Sequence, residues 1–404
     1  MATQKSMLRE FPWNPQYGIS GVDEILTPAL VIYPEIVASN IECTLKLLNG
    51  SANRWRVHLK TSKLGYTQRL LIERGIRNFK CATTLELLVA CQAGAADVLL
   101  AYPSMGANAR RVKEIAEEFR EVRVSVLAEN EEQIQQWKGS RLGVFLDINP
   151  GMNRTGIEQS HADEVIRLAG VIARSGLEFR GLHYYDGQYA SAEEPARTSE
   201  THKGYDSLLE IERAITRSGI KVTEVITAGT PTFPCSLSYE GFRDERFIHR
   251  ISPGTVVYND ATSLAQLPKE YGYQPAALVL ARVVSQPREG MVTCDAGHKA
   301  VSGDSGAPTC VVVGHRELTP LGPSEEHLPI AVDAGAMRPS TGDVLYLMPR
   351  HVCPTVNNFE HALLVRNGVV ESVERVSARG REAPLIGRLE ETVSRLSAAA
   401  HERH

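Results

Sequence analysis

The chain has 404 residues, 43% of them hydrophobic and 23% charged, with 44 Lys and Arg against 48 Asp and Glu for a formal net charge of -4. This composition excludes wholesale disorder and fits roughly two to three domains. The charge balance supplies no basic footprint for nucleic acid or an anionic membrane, so a small-molecule partner is expected.

No stretch approaches the roughly 18 consecutive apolar residues of a membrane span, and the opening MATQKSMLREFPWNPQYG lacks an apolar signal core. A cytoplasmic protein is expected. The seven cysteines are widely spaced and form no Cys-x-x-Cys pair, which indicates buried reduced thiols rather than a disulfide framework or a closed zinc knot.

In chain order, the first periodic segment is a helix over Pro34–Leu48. Strand patterns follow at Arg56–Lys60, Phe79–Ala82, Val98–Ala101, Val122–Leu127, Gly143–Ile148, Phe179–Tyr185, Glu224–Ala228 and Thr255–Asn259. Helix patterns lie between them, over Gln68–Arg74, Leu85–Ala93, Ala107–Phe119, Glu131–Lys138, Ser160–Ser175 and His202–Ser218. This alternation predicts βα units and, within residues 27–265, a (β/α)8 barrel, whose usual length is about 250 residues. No Gly-x-Gly-x-x-Gly follows the first strand to favour a dinucleotide fold. After Gln274 short alternating runs such as AALVLARVVSQ and HALLVRNGVVESVERV predict a mainly antiparallel β domain. Residues 1–26 and 266–383 are assigned to that domain, and 384–404 to a terminal helix or tail.

Chemistry in such a barrel sits at the carboxyl ends of the strands, with phosphate groups bound after strands seven and eight. The first strand reads WRVHLKTSK, in which His58 and Lys60 share a face by the period-two rule. An ammonium among apolar walls is costly unless paired or deprotonated, and a lysine with a lowered pKa is what imine formation with a carbonyl cofactor requires. A lysine that reaches solvent at the rim has the same spacing. DINPGMNRTG places Arg154 at the mouth, to bond an anionic oxygen or to fix its own loop. LHYYDG offers Tyr185 as a ring-packing group or a core residue. TAGTPT, with Thr227, Gly229 and Thr230, and ISPGTVVYND, with Gly254, Thr255 and Tyr258, stand where N–H groups and hydroxyls cradle a phosphate, although both are also ordinary turn chemistry. In RHVCPTVNNF, His351 and Cys353 are expected at a strand end on one face, as a zinc-type pair or a structural one.

Taken in order and spacing, RVHLKTSK, GMNRTG, GLHYYDG, TAGTPT, SPGTVVYND, DAGHK and HVCPTVN resemble the D-threonine aldolase and D-serine dehydratase group, from about Leu26 to Val376. These are pyridoxal phosphate enzymes of the alanine-racemase-like fold. The resemblance implies that Lys60 is catalytic and holds pyridoxal 5'-phosphate as an imine. It further implies Arg154 on the ring oxygens, Tyr185 beside the ring, Gly229, Thr230, Gly254 and Thr255 around the phosphate, and His58, Thr227 and Tyr258 among the cofactor's neighbours. His351 and Cys353 would hold a divalent metal, zinc or manganese, beside the β-hydroxyl of a D-amino acid, in a homodimer. Aldolases of the group tend to carry His-x-Asp here and dehydratases His-x-Cys, so Cys353 points to dehydration, giving a 2-oxo acid and ammonia, over retro-aldol cleavage to glycine and an aldehyde. A racemase shares the fold but has no use for the metal pair, and barrel-only cofactor-binding proteins lack the second domain. The group's usual Arg-Pro-His-x-Lys-Thr-His-Lys is altered at Val57 and Ser62, and its Gly-His is Gly187-Gln188 here, which leaves the substrate's side chain open.

Overall fold

The computed structural model describes residues 11–244 and 246–385. After two 3-10 turns, Pro15–Tyr17 and Val22–Glu24, come a strand, β1 (Ala29–Ile32), and a helix over Pro34–Leu47 that buries Ile36, Val37 and Ile41. Then strands and helices alternate: β2 (Arg56–His58), β3 (Asn78–Cys81), β4 (Asp97–Leu100), β5 (Arg123–Ala128), β6 (Gly143–Asn149), a short β7 (Ile157–Glu158), β8 (Glu178–Tyr184), β9 (Glu224–Thr227) and β10 (Ile248–Ile251). Local chemistry sets the helix starts. The Thr83 hydroxyl accepts the Glu86 N–H at 3.1 Å and the Asn130 side chain accepts the Gln133 N–H at 2.9 Å, each satisfying a donor that the first helical turn leaves free.

The strands pair in parallel in the order β2-β3-β4-β5-β6-β8-β9-β10, with β7 beside β6. A parallel bridge between Trp55 and Ile251 returns the last strand to the first. The result is a near-closed barrel of eight parallel strands. Its inward residues change character along the strands. Arg56, Asp97, Arg180, Glu224 and Arg250 fill the amino end as a buried ion network, with Arg56 Nη1 2.8 Å from Asp97 Oδ1 and Arg56 Nε 2.7 Å from Glu224 Oε1. Leu99, Leu127, Phe145 and Ile226 form an apolar layer. Two residues beyond Phe145 comes Asp147, paired in register with His183, so the interior turns polar again toward the carboxyl end.

The rest of the chain adds β11 (Ala277–Arg288), β12 (Met291–Cys294), β13 (Cys310–Val312), β14 (Leu318–Pro320), β15 (Leu328–Val332), β16 (Val344–Pro349), β17 (His361–Arg366) and β18 (Val369–Arg375). They form a second sheet in the order β14-β15-β12-β11-β1-β17-β18, with β16 joining β11 to β13. All its pairs are antiparallel except β1 with β17. The architecture is the expected α/β barrel followed by a mainly antiparallel β domain.

Two readings are corrected. The eighth barrel strand is β10, not Thr255–Asn259: Thr255–Val257 is one turn of 3-10 helix. The β-branched run TVV suggested a strand, but it follows Pro253-Gly254 and ends at Asn259, whose φ is +60°. The true strand was hidden by His249 and Arg250, charged-type residues that are inside because Glu224 and their other partners meet them there. In addition, β1 falls within the range assigned to the barrel yet is hydrogen-bonded into the second sheet, Ala29 opposite Leu280. The expected terminal helix or tail lies outside the described residues beyond Leu385.

Candidate active site

The turns after β2, β8, β9 and β10, and the loop after β16, enclose a cavity of 240 Å³. Its wall contains His58, Lys60, Tyr185, Gly229, Thr230, Gly254, Thr255, His351 and Cys353, all singled out in the sequence, together with Lys80, Ser252, Asp260 and Ser305. Arg154 joins through Tyr185, its guanidinium carbon lying 4.8 Å from the ring centre. Thr227 and Tyr258 are not part of the wall. Thr227 Oγ1 lies 2.6 Å from Ser236 Oγ and 2.8 Å from His249 Nε2, and the Tyr258 hydroxyl lies 2.7 Å from Thr67 Oγ1, so both are tied to neighbours within the barrel.

The barrel side of the cavity is built from backbone wherever side chains would intrude. A Cβ on Gly254 would sit 2.2 Å from the His58 carbonyl oxygen, and one on Gly229 2.8 Å from the Tyr185 ring. The two glycines therefore let peptide groups form the wall beside the Thr230 and Thr255 hydroxyls, a donor set suited to a phosphate group. β2 ends at His58, so Lys60 stands on the turn beyond it rather than on the strand. Burial, reinforced by the charges of Lys60 and Lys80, holds the His58 imidazole well below its usual pKa, and it is neutral. A primary amine, a neutral imidazole, a tyrosine ring and a glycine and threonine cradle together fit pyridoxal phosphate.

The opposite contribution comes from the second sheet. His351 and Cys353 lie not at the end of β16 but at the start of the helix Val352–Asn358, His351 in the capping position and Cys353 in the first turn. Asp260 fixes this helix to the barrel: its carboxylate accepts the Val352 N–H at 3.0 Å and the Ser263 N–H at 2.7 Å. His351 Nδ1 is 2.7 Å from Asp304 Oδ2, and Cys353 Sγ is 2.9 Å from Thr61 Oγ1. Burial opposes charge on both side chains, but each favours charge on the other. The His351 imidazolium is stabilised, with a pKa of about 9, by Cys353 and Asp304, and His351 draws the Cys353 thiol below its ordinary value. With Nδ1 engaged by Asp304, loss of the other ring proton and of the thiol proton would leave a nitrogen and sulfur donor pair suited to zinc. The described residues contain no group of three or more His, Cys, Asp or Glu placed to hold a metal, so this is an open pair.

Sequence reading missed Lys80, Asp147 and His183 as a unit. Lys80 Nζ is 3.3 Å from His183 Nε2, and His183 Nδ1 is 2.7 Å from Asp147 Oδ1. In FKCATT the period-two rule that marked Lys60 turns Lys80 inward between Phe79 and Cys81, so the signal was present.

Residues 33–261 match the family described as "Alanine racemase, N-terminal domain", and residues 276–365 that described as "Putative serine dehydratase domain". The D-threonine aldolase of Arthrobacter sp is 26% identical over 91% of this chain and 96% of its own length. The 3-hydroxy-D-aspartate aldolase of Paracoccus denitrificans (strain Pd 1222) is 27% identical over 90% of this chain and 95% of its own. The crystal structure of D-threonine aldolase from Filomicrobium marinum superposes with a TM-score of 0.81 at 25% identity, covering 91% of this chain and 99% of that one. No helix among the described residues is long and apolar enough to cross a membrane.

Proposed function

The chain belongs to the family of the alanine racemase N-terminal domain, and from that membership we propose that it is a pyridoxal phosphate-dependent lyase acting on D-3-hydroxy amino acids, which it dehydrates to a 2-oxo acid and ammonia. The observation that carries the proposal is one cavity in which a lysine from the barrel, Lys60, and an imidazole and thiol from the start of the helix after β16, His351 and Cys353, share a wall. Retro-aldol cleavage to glycine and an aldehyde is the second reading. It is favoured by the names of the two curated relatives, whereas Cys353 and the serine dehydratase match favour dehydration.

Pyridoxal phosphate, when bound, supplies an electron sink for charge that develops at the substrate Cα. Lys60, Tyr185, Gly229, Thr230, Gly254 and Thr255 would hold it, and a divalent metal at His351 and Cys353 would supply Lewis acidity beside the β-oxygen. The chain's own residues do the remainder. The Lys60 amine takes the proton from Cα. Arg154, laid over the Tyr185 ring, holds that ring in the wall. Asp304 fixes the His351 ring through Nδ1, and Asp260 fixes the helix that carries Cys353.

The test is to incubate the purified protein with pyridoxal phosphate and zinc or manganese, to offer D-serine, D-threonine and D-3-hydroxyaspartate with their L forms, and to identify products by NMR. A 2-oxo acid with ammonia from the D forms alone is expected; glycine with an aldehyde would replace the first reading by the second. Lys60→Ala is expected to abolish the imine absorbance and lower turnover by about 10³-fold. An unchanged imine band would sink the lysine assignment.

A further inference from the structure

Two lysines, not one, line the cavity. Lys60 stands on the turn that ends β2, and Lys80 is inside the barrel on β3, directly opposite His58 in the parallel register. Lys80 is 3% exposed. It sits among Arg56, His58 and Lys60 from β2 and its turn, Asp147 from β6, His183 from β8 and Arg154 from the loop after β6. The carboxylate among these groups, Asp147, is spent elsewhere: Oδ1 is bonded to His183 and Oδ2 accepts the Thr155 hydroxyl at 2.8 Å.

The His183 ring fixes how Lys80 is presented. Nδ1–H donates to Asp147, so Nε2 carries a lone pair and accepts an N–H from Lys80. Burial and then the charge of Lys80 hold the His183 pKa below its usual value, against the pull of Asp147, and the ring stays neutral. With one N–H directed at His183, the remaining valences of the Lys80 nitrogen, including the lone pair of its neutral form, are directed away from His183, where the cavity lies.

We propose that Lys80 is a proton-storing partner of Lys60, oriented by the His183–Asp147 pair. After Lys60 has taken the substrate's Cα proton it is an ammonium. One of its N–H bonds breaks, directly or through a bridging water, the electron pair stays on the Lys60 nitrogen, and a new N–H bond forms to the Lys80 lone pair. Lys60 regains the neutral amine it needs to recapture the cofactor, and the return transfer supplies a proton for product formation. The charge count supports this exchange: two neighbouring ammonium groups repel in a low-dielectric cavity, so the pair carries one proton more readily than two. Burial first, and Lys60 second, lower the Lys80 pKa to about 7, where both of its forms are populated near neutrality.

The function of Lys80 rests on the lyase reading, but its protonation does not, so the decisive measurement uses the cofactor-free protein without turnover. Lysine side chains enriched in ¹³C at Cε are titrated by NMR, with K80Q and K60Q used for assignment. A Lys80 resonance with a midpoint near 7 that rises in K60Q supports the proposal. A Lys80 that remains ammonium through pH 9, or a midpoint unmoved in K60Q, overturns it. In the loaded enzyme K80R, which keeps the charge but cannot give up its proton, is expected to retain the imine absorbance while losing the acid limb of the kcat profile and about tenfold or more in kcat. An unchanged profile in K80R overturns the exchange. If wild type turns over none of the D-3-hydroxy amino acids, the lyase reading fails and the NMR result on the pair still stands.

Discussion

Lys80 reports on itself through stability as well as chemistry. Its folded pKa of about 7 lies below the ordinary lysine value of about 10.4. Between those values the unfolded chain binds a proton that the folded chain does not, so stability rises with pH across the window and is level below it. Lys80→Met removes the dependence. The difference in unfolding free energy between variant and wild type is therefore expected to move in favour of wild type by about 1.4 kcal/mol per pH unit from roughly pH 7 to 10. Urea unfolding of the cofactor-free proteins across that range measures it, and a difference independent of pH would mean that the folded protein keeps Lys80 charged. The glycines on the other side of the cavity are constrained by space instead of charge: at Gly254 any side chain meets the His58 carbonyl, which cannot retreat without disturbing the end of β2.

At the scale of elements the barrel strands hold one another through charges that no single strand explains. Glu224 at the start of β9 meets Arg56 from β2, Arg180 from β8 and Arg250 from β10. Asp97 takes part of this load, and Arg56 and Arg180 hold its carboxyl far below the usual range against the effect of burial. Glu224→Gln leaves three buried guanidiniums facing one carboxylate, and a loss of about 3–5 kcal/mol is expected by urea unfolding; a loss under 1 kcal/mol would show that the arginines reach solvent or one another's partners. The same network explains what sequence could and could not reveal. Strands such as Val144–Leu146 declare themselves by apolar content, and the helix over Ala162–Arg174 by its spacing of Val165, Leu168, Ala169 and Ile172. β10 did not, because the partner that makes Arg250 an interior residue is Glu224, 26 positions earlier. For β1, ALVI reads as a buried strand in either sheet, and only its distant partners decide which. At the site, residues next to strand ends were legible from barrel geometry; Thr227 and Tyr258 were drawn in by their motifs although their hydroxyls serve the barrel itself.

Across the whole molecule the two sheets are joined at the site by a buried carboxylate. Asp260 accepts N–H groups from Ser263 on the barrel side and Val352 on the other, so the helix start that carries His351 and Cys353 is tied to the barrel by one buried carboxylate. Asp260→Ala is expected to weaken zinc binding by about tenfold in a competition titration while leaving the Lys60 imine absorbance in place; loss of both together would mean that Asp260 supports the whole cavity rather than the helix alone. The path of β1 has a further outcome, for the chain during its manufacture. Ala29 pairs with Leu280 and Leu30 with Ala362, so β1 must wait for β11 and β17, made more than 240 residues later. At roughly 5–20 residues per second the ribosome needs about 12–50 s to travel from β1 to β11. The barrel strands can associate in that interval, but an apolar strand whose every interior residue is destined for burial stays uncovered. The second sheet therefore closes over β1 only when the segments carrying β11 and β17 have been made.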